Sequence, residues 1–82
     1  MDAGINLYPN PAKAAIEIIF PTQRSGRWQL YNAQGQLLSS RAFGQEQQLT
    51  LTRNDLAAGI YWLRFYFQKE AGGISVKIIW VD

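Results

Sequence analysis

At 82 residues, 48% hydrophobic, 13% aromatic and 17% charged, the chain is long enough for one small core and too apolar for a disordered segment. It has no cysteine and no histidine, which removes disulfides, thiolate chemistry, and the commonest general base and metal ligand. Net charge is +2, and the basic residues Lys13, Arg24, Arg27, Arg41, Arg53, Arg64, Lys69 and Lys77 are too scattered for a nucleic-acid footprint, so no nucleic-acid partner is expected.

No apolar stretch approaches the ~18 residues of a membrane helix, and residues 1–4 lack the basic and apolar regions of a signal peptide. Residues 1–5 read as the start of an excised fragment or a linker remnant, and 6–82 as one domain. Within it, short apolar runs recur between turn residues at the spacing of an all-β sandwich or barrel. The first strand, 5–8, leads into Pro9-Asn10-Pro11, which cannot continue a central ladder because proline lacks the donor. A strand over 14–20 puts Ile16, Ile18 and Phe20 on one face, and Pro21 is expected to end it. A strand over 27–32 sets Trp28 and Leu30 opposite Arg27 and Gln29.

Asn32-Ala33-Gln34-Gly35 is predicted to be a hairpin turn in which Gly35 takes a positive φ. The chain returns over 36–43, turns at 44–46, and alternates again over 47–52 with Leu49 and Leu51 inward. Residues 54–58 are too few for an independent helix and are stopped by Gly59, so they form a corner. The strongest strands, 60–67 and 74–81, flank the polar turn 68–73 and are predicted to pair as an antiparallel hairpin. Gly59 followed by Tyr61 at the start of a long strand matches a tyrosine corner, whose hydroxyl bonds back to the backbone. These elements predict an all-β, immunoglobulin-like antiparallel β-sandwich of about seven strands, with a closed barrel as the alternative.

Catalysis finds little support. The acids Asp2, Glu17, Glu46, Asp55, Glu70 and Asp82 form no close sequence pair and no calcium-type cluster, so neither an enzyme nor a cofactor is expected. The aromatics Trp28, Tyr31, Trp62, Tyr66 and Trp80 suggest a sugar-stacking platform, as in a small carbohydrate-binding or adhesin-type module. Alternation assigns Trp28 and Trp80 to the core, beside Leu30 and beside Val76 and Ile78. It leaves Trp62 and Tyr66 facing away from Tyr61, Leu63 and Phe65.

Four segments in order resemble the type IX sorting domain of Bacteroidetes-type secreted proteins: Leu7-Tyr8-Pro9-Asn10-Pro11-Ala12, Leu30-Tyr31-Asn32-Ala33-Gln34-Gly35-Gln36, Leu56-Ala57-Ala58-Gly59-Ile60-Tyr61 and Val76-Lys77-Ile78-Ile79-Trp80-Val81. The first is the most specific, the corner is shared with other sandwiches, and Lys77 marks the terminal strand. The resemblance implies a non-catalytic C-terminal signal joined to an N-terminal passenger. Such a domain folds in the periplasm, is recognised by the outer-membrane translocon, and is removed by a sortase as the passenger reaches the cell surface or the medium. The hairpin's outer face, with Trp62, Arg64, Tyr66, Ile79 and Val81 beside Lys77, is unusually apolar for a solvated sheet and is the candidate docking face. Docking is expected through that face or by strand addition to the free edge of the last strand, with a weak homodimer as the other occupant.

Overall fold

The computed structural model describes residues 4–82; Asp2 and the rest of residues 1–3 lie outside the described residues. The chain is all-β and antiparallel, built from β1 (Asn6–Tyr8), β2 (Ala15–Asn32), β3 (Leu37–Thr52), β4 (Gly59–Phe67) and β5 (Ile74–Trp80). Among the described residues, five strands of one sheet therefore replace the expected seven or so strands of a two-sheet sandwich. The difference arises at two places where the sequence predicts a break. Pro21 lies inside β2, between Ile19 and Arg24, where the register with β3 shifts and no ladder partner needs its missing N–H. The expected turn at residues 44–46 is only a bend in β3, where Gln45 takes φ 50° and its N–H donates to Ser25 Oγ at 2.8 Å.

β2 is the spine. Its first half pairs with β1 on one side and the end of β3 on the other, through Leu7↔Ile18 and Ile18↔Leu49. Its second half pairs with the start of β3 and with β4, through Leu30↔Ser39 and Leu30↔Leu63. β4 then pairs with β5 as the expected hairpin, with Tyr61 opposite Ile78 and Leu63 opposite Val76. The sheet curls at the bends of β2 and β3, so its inward side chains meet across one core.

That core contains Ile16, Ile18, Phe20, Leu30, Leu51, Tyr61, Leu63, Phe65, Phe67, Ile78 and Trp80, which bears out the predicted inward faces. Ile5 is also only 2% exposed, so the core starts one residue before the domain boundary read from the sequence. At its centre Phe20 stacks on Phe43 and meets Phe65 and Phe67 edge-on, with centroids 5.5–5.6 Å apart. Such pairs contribute about 0.5–1.5 kcal/mol each beyond their buried area. Gly26 makes the close approach of β2 to β4 feasible, because a Cβ there would run into the carbonyl oxygen of Tyr66.

Candidate functional site

The motif Leu7 to Pro11 and the terminal strand meet in space. Leu7 packs against the core, while Tyr8, Pro9, Asn10 and Pro11 are exposed. The Tyr8–Pro9 and Asn10–Pro11 peptide bonds are both cis. Between the prolines, Asn10 acts as a one-residue substitute for a strand. Its Oδ1 accepts the Ile79 N–H at 3.0 Å, and its Nδ2 donates to the Lys77 carbonyl at 2.8 Å. Ala12 continues the pairing in a parallel bridge to Trp80, donating to Ile79 O at 3.0 Å and accepting from Val81 N at 2.8 Å. The edge of β5 that the sequence leaves free is therefore closed over Lys77, Ile79 and Val81. An amide side chain carries one donor group and one acceptor, so it satisfies both kinds of edge group at once.

Arg53, which sequence reasoning did not single out, clasps the same region from below the corner. Its guanidinium donates to the carbonyls of Leu56 (2.8 Å), Lys13 (3.0 Å) and Val81 (2.8 Å) and pairs with Asp82 Oδ1 at 2.7 Å. One cation thus ties the segment after the proline motif, the corner and the end of the last strand together. A lone arginine next to a turn gives no sequence signal for this, since two of its partners, the Lys13 and Val81 carbonyls, are backbone oxygens from distant segments.

The two glycine sites have the local geometry expected of them. Gly35 has φ 86°, and its turn is built by Asn32, whose Oδ1 accepts the N–H groups of Gln34 and Gln36 at 3.0 and 2.9 Å. Gly59 has φ 151°, and Tyr61 two residues on donates its hydroxyl to the Ala57 carbonyl at 2.7 Å. That is the tyrosine corner, and residues 54–58 form no helix.

On the outer side of the β2–β4–β5 sheet, Trp62 (43% exposed) and Tyr66 (37%) flank Arg64, with Ile60 opposite Ile79 and Trp62 opposite Lys77. Val81, at 36% exposure, lies just past the end of β5. The structure therefore brings the candidate docking residues onto one side of the hairpin, with the proline motif beside its edge. It does not assemble the five aromatics into one sugar platform. Trp80 is 1% exposed, and half-buried Trp28 faces Phe65 on the opposite side from Trp62. The Trp80 indole N–H is buried with no hydrogen-bond partner among the described residues.

Trp28 instead lines a groove of about 640 Å³ between the two halves of β3, with Leu30, Phe43, Leu49, Leu51 and Leu56. Among the described residues no three acidic groups converge to hold a metal. The described surface carries exposed aromatic and aliphatic groups and arginines held by hydrogen bonds.

A family model described as a secretion system C-terminal sorting domain matches residues 6–81. No curated protein matches the chain.

Proposed function

This chain belongs to the type IX secretion C-terminal sorting domain family, and from that membership we propose that its folded body is the address that carries a passenger, joined ahead of it, across the outer membrane. The observation that carries the reading is extent. The matched span, 6–81, runs from the first residue of β1 to just beyond β5 and so takes in all five strands of the described residues. The domain works by being recognised and performs no chemistry of its own; a sortase then separates it from the passenger at the cell surface or in the medium.

Recognition falls on the outer side of the β4–β5 hairpin, at Trp62, Arg64, Tyr66, Ile79 and Val81. Packing on this face is favoured over strand addition to β5, because Asn10 and Ala12 already occupy that edge from Lys77 to Val81. Exposed aromatic and aliphatic groups with fixed arginines are the usual makings of such a surface.

The test is a reporter carrying a signal peptide and followed by this domain, expressed in a type IX-competent host. The reporter is expected outside the cell, and its retention in the periplasm, where an established sorting domain exports it, would overturn the assignment. Ile60→Ser plus Trp62→Ser, both at exposed positions, should leave the fold intact and cut export. Parental export by that folded variant would move recognition to another surface.

A further inference from the structure

Among the described residues, the outer side of the β2–β4–β5 sheet carries cations and no anions. Directly opposed residues share a face, and the pairs Arg27↔Tyr66, Gln29↔Arg64 and Trp62↔Lys77 place three basic side chains there. The carboxylates of the described residues lie elsewhere. Glu17 is on the first half of β2, Glu46 is in the β3 bend and Asp55 is in the corner, while Glu70 and Asp82 are paired with Arg24 and Arg53. Neutral groups hold the arginines of the face in position. Arg27 donates to Ser40 Oγ at 3.0 Å, and Arg64 donates to Tyr66 Oη at 2.9 Å and Ser75 Oγ at 2.7 Å. A guanidinium held only by hydroxyls keeps its full charge uncompensated and its orientation set in advance.

We propose that the occupant of this face is a protein surface rich in carboxylates, a refinement that rests on the docking face proposed above. Tryptophan, tyrosine and arginine together are the side chains enriched where proteins bind proteins. A second copy of this chain does not fit. A two-fold contact through the face would set Arg64 and Lys77 against the same cations, with no carboxylate of the described residues there to separate them.

The test uses the reporter fusion with three further variants. Arg64→Glu plus Lys77→Glu is expected to lower export about tenfold or more, and Arg64→Gln plus Lys77→Gln to lower it less. Lys13→Glu plus Arg41→Glu makes the same change in net charge away from the face and is expected to export like the parent. Thermal melting accompanies each, because the first variant gives up the Tyr66 and Ser75 contacts. If it unfolds, Arg27→Glu plus Lys77→Glu leaves Arg64 in place and should show the same loss. A parent that fails to export overturns the sorting reading and this inference with it. Parental export by the folded charge reversals, or an equal loss in the control, overturns the inference alone. So does a parental dimer in sedimentation that shields Trp62, or pelleting with phosphatidylglycerol vesicles that the reversal abolishes, since the occupant is then a second copy or a lipid surface.

Discussion

Replacing Asn10 by alanine tests whether the proline motif acts as an edge cap. The substitution removes the bond accepted from Ile79 N at 3.0 Å and the bond donated to Lys77 O at 2.8 Å, and leaves the two prolines in place. Asn10 is exposed, so water can replace part of what is lost and each bond falls at the low end of the usual range, about 0.5–1 kcal/mol. The pair then contributes about 1–2 kcal/mol. For a domain of this size each kcal/mol moves the melting midpoint by about 4–8 °C, which predicts a fall of about 4–16 °C followed by circular dichroism. The loss is also local. The Ile79 amide should exchange with solvent roughly 5–30 times faster, while the amides of Leu63 and Phe65 in the middle of β4 lose no more protection than the global change requires. Asn10→Asp keeps the acceptor but sets a carboxylate oxygen against the Lys77 carbonyl, so it should recover at most half of the loss. An alanine variant that melts with the parent, with Ile79 exchange unchanged, would refute the reading.

Tyr61→Phe removes only the hydroxyl bonded to the Ala57 carbonyl and should cost about 1 kcal/mol by chemical denaturation, with a value near zero denying the corner its role. Gly26→Ala should prevent correct β2–β4 pairing, because the added Cβ meets the Tyr66 carbonyl oxygen; a soluble alanine variant that melts cooperatively at the parental midpoint counts against so close an approach of the two strands. Arg53→Met keeps the length of the side chain and strips its contacts to Lys13, Leu56, Val81 and Asp82. A loss of about 2 kcal/mol is expected, together with faster exchange at Val81, and its absence would show that the clasp is only decorative contact. Trp62→Ala, at an exposed position, should change stability by less than about 1 kcal/mol, and a glycan array should show no retention for parent or variant; retention lost on the substitution would favour sugar stacking.

The inward and outward faces were legible in the sequence, because side-chain alternation along an extended chain is local covalent geometry. Ile16, Ile18 and Phe20, and Tyr61, Leu63 and Phe65, are buried as that alternation requires, with Trp62 and Tyr66 exposed between and beyond them. The Gly35 turn and the Tyr61–Ala57 corner were legible for the same reason, since each closes within a few residues. Strand number was not. Whether Pro21 ends a strand depends on what lies opposite it, and the register shift leaves it without a ladder partner, so β2 runs on to Asn32. The closed edge of β5 was equally out of reach: Asn10 lies 67 and 69 residues from the two backbone groups it satisfies, and Arg53 binds Lys13 and Val81 across 40 and 28. Nothing in the neighbourhood of an asparagine or an arginine specifies a backbone oxygen that far along the chain. Only the curl of the sheet, set by packing around the phenylalanine cluster, brings those groups within hydrogen-bonding distance.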